Sequence, residues 1–195
     1  MFLTINKMRT KYLVNNLSGQ TINGQAIDPK YKVYTALLTQ SGGDNVQVIN
    51  SGDLTIGVTY KINVVDTDGD FTNVGAPNND AETYFVATGA TPNSWGTNGE
   101  LKYNNGAPVV TVLENTIGNI WFSYRNQGEY FVNSIDLFTT DKTAISIDTY
   151  GQNGVFISTI SYGQLTISEF IIFTYKDGPT DGILYKNTLE IRVYN

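Results

Sequence analysis

The feature that most limits this fold is alternation. From Tyr31 onward, apolar and polar residues change places at every step in short runs that end at Gly-, Asn- or Asp-bearing turns. Ile56, Val58, Tyr60, Ile62 and Val64 alternate with Thr55, Gly57, Thr59, Lys61 and Asn63; near the end, Leu189, Ile191 and Val193 alternate with Glu190, Arg192 and Tyr194. A period of two puts one set on a buried sheet face and the other towards solvent, which describes a strand. No ten-residue window carries a convincing helical period. Strands are predicted over 31–38, 55–64, 83–88, 101–103, 109–113, 119–124, 129–135, 143–148, 155–161, 165–175 and 184–194, with 125–128 as a hairpin loop. Many short strands between close turn signals predict an all-β chain. The expected architecture is an antiparallel β-sandwich, jelly-roll-like in the looser sense.

Composition narrows the chemistry. Charged residues make up 15% of the chain, and both Cys and His are absent. Without Cys there are no disulfides, thiolate nucleophiles or Cys-ligated zinc. Without His there is no Ser-His-Asp triad, imidazole base or His-ligated metal. No glycine-rich phosphate loop of the GxxxxGK[ST] type occurs. The many acids, Glu114, Glu129, Asp136, Asp141 and Asp148 among them, show no local spacing that selects a pair for glycoside hydrolysis. No catalytic residue, metal ligand or cofactor is assigned. The first eleven residues carry Lys7, Arg9 and Lys11 after a short apolar patch, the reverse of a secretory signal. No run reaches the apolar length of a membrane span, so a soluble chain without membrane contact is expected.

Charge is uneven along the chain. Residues 1–32 hold Lys7, Arg9, Lys11, Lys30 and Lys32 against Asp28 alone, so the acids behind the net −6 lie downstream. Residues 1–30 show no sustained period and are rich in Asn, Gly, Gln and Thr, with one short strand expected near 12–14 and a turn at Asp28-Pro29. They read as an extended N-terminal arm that meets an acidic partner, or as a flexible terminus kept soluble by its cations. The acidic remainder disfavours nucleic-acid binding, because phosphate neutralisation requires cations.

Two segments stand out as motifs: Ala36-Leu37-Leu38-Thr39-Gln40-Ser41-Gly42, and Ala107-Pro108-Val109-Val110-Thr111-Val112-Leu113-Glu114-Asn115-Thr116. Together they resemble one near-continuous motif, interrupted only by a short turn, of tailed-bacteriophage structural proteins. Between them lie Gly52-Asp53-Leu54-Thr55-Ile56-Gly57-Val58-Thr59-Tyr60, Asp70-Phe71-Thr72-Asn73-Val74-Gly75-Ala76 and Tyr84-Phe85-Val86-Ala87-Thr88-Gly89. These are similar to further segments of phage head fibres, decoration proteins and tail-fibre modules, including those of crAss-like phages. The resemblance covers roughly half the chain, and 1–30 and 132–195 match nothing in it. It implies a β-rich, often trimeric protein on the particle surface, attached by its N-terminal segment. It also implies that a second module occupies the place of the short turn. The expected division is an arm over 1–30, an outer sandwich over 31–43 and 105–195, and an inserted small β domain over 44–104. An insertion is tolerated when its ends are neighbours, so Gly43 and Gly106 are expected side by side with the inserted domain protruding.

Within the insertion, Asp66, Asp68 and Asp70 resemble the start of a calcium loop. Phe71 and Pro77, however, stand where an EF-hand needs Gly and Glu. The spacing is that of a solvated acidic turn or of a looser cation site. Trp95 and Tyr84, beside Asn93, Asn98 and Asp80, are candidates for glycan contact, the alternative being that they fill a small core. Lys7, Arg9 and Lys11 are the candidate anchoring residues. Three functions are thus framed. The first is a structural virion protein, a head fibre or decoration protein assembled in the host cytoplasm, as a homotrimer held to other virion proteins by its arm. The second is a tail-appendage module that binds a receptor or host surface glycan, and the third an enzyme that degrades such a glycan.

Overall fold

The computed structural model describes residues 21–22, 25–26, 30–65, 67–148, 159–164 and 166–195. Its strands, in chain order, begin with β1 (Thr21–Ile22), β2 (Gln25–Ala26), β3 (Tyr31–Thr39) and β4 (Val46–Ile49). Next come β5 (Thr59–Val64), β6 (Gly69–Asp70), β7 (Tyr84–Val86), β8 (Ser94–Trp95) and β9 (Glu100–Asn104). The remainder are β10 (Val109–Asn115), β11 (Ile120–Asn126), β12 (Glu129–Ser134), β13 (Thr143–Ile147), β14 (Thr159–Gln164), β15 (Glu169–Tyr175) and β16 (Tyr185–Tyr194). A 3-10 turn at Thr72–Val74 is the helical element among the described residues.

Two four-stranded antiparallel sheets, ordered β10-β3-β16-β13 and β11-β12-β15-β14, enclose one apolar core. The first contributes Tyr34, Ala36, Leu38, Leu189, Ile191 and Val193, and the second Phe122, Tyr130, Val132, Phe170 and Ile172. These are alternate residues of their strands, so the period of two does what it predicts. Phe138 closes the core, packing edge-on to Phe170 at 5.2 Å between ring centroids. The all-β sandwich expected from the sequence is therefore the fold.

Residues 46–104 build a third antiparallel sheet, β4-β9-β5-β7, and a two-stranded ribbon of β6 and β8. They have their own core of Leu54, Tyr60, Ile62, Phe71, Val74, Phe85 and Leu101. The strands on either side, β3 and β10, pair directly from Thr39↔Val109 to Tyr34↔Asn115. The chain crosses between the two parts at a neck too tight for side chains. A Cβ on Gly106 would lie 2.7 Å from the Gly43 carbonyl oxygen, and one on Gly42 2.8 Å from that of Asn105. Glycine alone fits two backbones that close.

The third sheet also leans along the sandwich. The Phe122 amide donates to Thr59 Oγ1 at 3.1 Å, and Asn119 Nδ2 donates to the Tyr84 carbonyl at 2.9 Å. Val86 is part of the sandwich core. The Val110 amide donates to the Gly57 carbonyl at 2.9 Å. Strand β11, an edge of its own sheet, is thereby covered, which removes a site for unwanted strand pairing.

Two strand expectations need correction. The run 55–64 is a strand only from Thr59, because Gly57 adopts a φ of +86° and turns the chain, leaving Ile56 60% exposed. A Cβ on Gly57 would meet the Val110 oxygen at 2.4 Å, so close approach to the sandwich overrides the apolar alternation. Strand β10 holds as expected and runs on to Asn115 through a bulge between Val112 and Glu114, with Leu113 58% exposed. The run 165–175 is a strand only from Glu169, and of the run 155–161 the described part opens β14, which continues to Gln164. The strand expected near 12–14 lies outside the described residues, while β1 and β2 pair with each other in the arm region.

Candidate functional site

Polar residues concentrate where the third sheet leaves the sandwich. Gln40, buried at 2% exposure, directly follows β3. Its Nε2 donates to the Gly106 carbonyl at 3.1 Å and to that of Gly42, and its Oε1 accepts from the Gly182 amide. One side chain thus ties both neck strands to the loop before β16. Beside it, Asp181 Oδ1 accepts from the Gly128 amide at 2.7 Å and from the Tyr130 hydroxyl at 2.9 Å, while Oδ2 accepts from the Tyr124 hydroxyl at 2.9 Å. Burial, followed by the hydrogen bond to Asp181, pushes the Tyr124 pKa up to about 12, and the same two causes raise Tyr130 further. Both phenols stay protonated donors, and Asp181 holds the β11–β12 hairpin end against the neck. Three of its acceptor sites are occupied by structure.

A cleft of about 410 Å³ opens at the neck, between Ser41–Gly43, Asn45 and Val58 on one side and Tyr103–Asn105, Ala107 and Val109 on the other. Asn104 staples its rim: Oδ1 accepts from the amides of Asn45 at 3.2 Å and Gly106 at 2.8 Å, and Nδ2 donates to Asp44 at 2.8 Å. Amides, the hydroxyl-bearing Ser41 and Tyr103, and backbone groups line the cleft around Val58 and Val109, a lining suited to neutral polar groups.

The Asp70 loop is a lock. Asp70 Oδ1 accepts from the Thr72 amide at 2.9 Å, the Thr72 hydroxyl at 2.6 Å and Asn79 Nδ2 at 3.3 Å; Oδ2 accepts from Asn93 Nδ2 at 2.8 Å. The hydrogen bonds from Thr72, then Asn93 and Asn79, hold its pKa below the usual 3.8. A cation here would have to displace those donors. Asp68 is exposed on the preceding turn, and Asp66 lies outside the described residues. Trp95 braces the same loops: its ring meets Phe71 edge-on at 5.3 Å, and its Nε1 donates to the Gly52 carbonyl at 3.1 Å.

Tyr84 has a different setting. It lies on β7 and stacks on Trp121 of β11, with centroids 5.6 Å apart and planes inclined by 12°. Lys61 Nζ stands 5.7 Å above the Tyr84 ring and pairs with Glu82 at 2.6 Å, a hydrogen bond that raises the lysine pKa. Tyr84 and Trp95 therefore sit in separate sheets with separate ring partners. Trp121 has a partner that sequence could not foretell, since its stack depends on how β7 lies beside β11. Lys7, Arg9 and Lys11 lie outside the described residues. Among the described residues, no three His, Cys, Asp or Glu side chains converge as a metal site would require. No protein-family model, curated protein or solved structure matches the chain.

Proposed function

We propose that the chain is a structural component of a phage particle: a surface-projecting head fibre or decoration protein, held to the particle by its N-terminal arm and acting through contact. The observation that carries this reading is the pairing of β3 with β10. The two segments that resemble a single virion motif are adjacent strands of one hairpin, and a β module with its own core fills the hairpin loop. A scaffold that accepts a module between neighbouring strand ends can display a surface without altering its own core. The carboxylates with the richest geometry, Asp70 and Asp181, spend their acceptor sites on loop and hairpin donors, which agrees with a scaffold role. Removing residues 1–30 leaves a folded protein that no longer joins particles. Particle incorporation of that truncated chain, read by immunoblot of purified virions, refutes the anchor. Mass photometry reads the accompanying homotrimer, which a monomer peak rejects.

A second reading, a tail-appendage module that contacts host glycan, is favoured by the stacked Tyr84 and Trp121 rings. Binding of the purified chain to host-cell polysaccharide supports it. Release of sugar products would instead assign a degrading enzyme.

A further inference from the structure

We infer that the half-exposed face running from β9 across β5 and β7 to β11 binds a carboxylated oligosaccharide, the lysines meeting its carboxylates and the aromatic stack its sugar rings. The inference rests on the glycan-contact reading and gives it a surface and a ligand class. Register sets Lys102 directly opposite Lys61, and Lys61 directly opposite Tyr84. The neighbours Leu101, Ile62 and Phe85 point to the core of the third sheet, so these three side chains share the opposite face, half-exposed here and packed on the sandwich further along at Thr59 and Val86. Trp121 continues the face onto the sandwich through its stack with Tyr84, and Asn133 stands opposite Trp121 with Nδ2 donating to Ser123 Oγ at 3.1 Å. At one strand spacing per step, Lys102 to Trp121 spans roughly 15 Å, a length for several sugar units and not for one.

Like charges facing each other across a strand pair cost stability. Glu82 offsets only Lys61, and among the described residues no carboxylate pairs with Lys102. A sheet that keeps this conflict has a reason outside its own folding, and an anion across the two ammonium groups resolves it. The Glu82 pair is a surface contact of small worth and gives way readily. The Tyr84 ring is flanked by Lys61 and Trp121, so sugar C–H edges meet the half-exposed Trp121 ring. Glu82 and Glu100 border the face, which suits one carboxylate per sugar better than the dense charge of a nucleic acid.

The test uses the full chain in calorimetric titrations with oligogalacturonate, oligosialate and hyaluronan fragments. Each is compared with its carboxyl-reduced counterpart, and a single-stranded oligodeoxynucleotide is titrated in parallel. The expected result is binding of at least one acidic glycan, with the reduced form, the Lys102→Glu variant and added salt each lowering affinity about tenfold. Trp121→Ala should abolish binding; Lys61→Ala, an outward substitution, gives an independent reading if Trp121→Ala fails to fold. Equal binding of the reduced sugars overturns the acidic class while leaving glycan contact standing. No binding to any glycan overturns both. Tighter binding of the oligodeoxynucleotide, lost in Lys102→Glu, makes the face a nucleic-acid site and refutes the proposal.

Discussion

Gln40 offers the sharpest test of how the two parts of the molecule are joined. Its amide is the shared partner of Gly42, Gly106 and Gly182, and it is 2% exposed. Gln40→Met keeps the length and most of the volume while deleting both polar atoms, so packing changes little. The Gly106 carbonyl, whose bond is fully buried, is orphaned outright; Gly42 and Gly182 lie nearer the surface and regain water. One buried acceptor left unsatisfied plus two replaced bonds costs about 2–3 kcal/mol. In a chain of this size that lowers the melting temperature by roughly 4–12 °C. Thermal unfolding of the two proteins measures the shift, and hydrogen exchange locates it. Amides around Gly182 and the neck should lose protection while those of Ile62 and Leu101, in the third sheet's core, keep theirs. A loss below about 0.5 kcal/mol, the scale of a neutral surface change, refutes the claim that this amide holds the neck.

Replacing residues 44–105 with a short turn should leave a sandwich that folds but is weaker by about 3–5 kcal/mol, from the lost burial of Val86 and the uncapped amides of Val110 and Phe122; urea unfolding at full native stability refutes the lateral attachment. Asp70→Asn should destabilise at neutral pH and converge with the native chain in acid. The folded pKa lies below the unfolded one, so the contribution exists above about pH 4 and fades as pH falls through the folded value. Melts that stay equally separated down to low pH would contradict this. Tyr124, with a folded pKa raised from 10.0 to about 12, adds stability that is whole below pH 10 and lost as pH rises through 12. Its phenolate absorbance should appear late in an alkaline titration, and only part-way earlier in Asp181→Asn, because burial is the larger cause and remains.

What could be read from the chain alone was set by local physics. Alternation identifies strands because side-chain direction reverses at each residue, so Leu189, Ile191 and Val193 could be assigned to the core before any contact was known. The hairpin within 125–128 followed from turn chemistry, though Arg125 and Asn126 extend β11 and the turn itself is Gln127-Gly128, with Gly128 at a φ of +69°. The absence of His and Cys restricted the available chemistry without any fold. Tertiary structure decided whatever depends on two distant segments meeting. Nothing near Gly57 announces that its carbonyl must reach Val110, yet that approach ends the strand and exposes Ile56. Asp181 carries no local sign of its three donors. The aromatic face arises because β7 comes to lie beside β11 and brings Tyr84 onto Trp121. Periodicity records which way a side chain points; only the packing of sheets determines what it points at, because that partner is chosen by long-range register and the local pattern carries no trace of it.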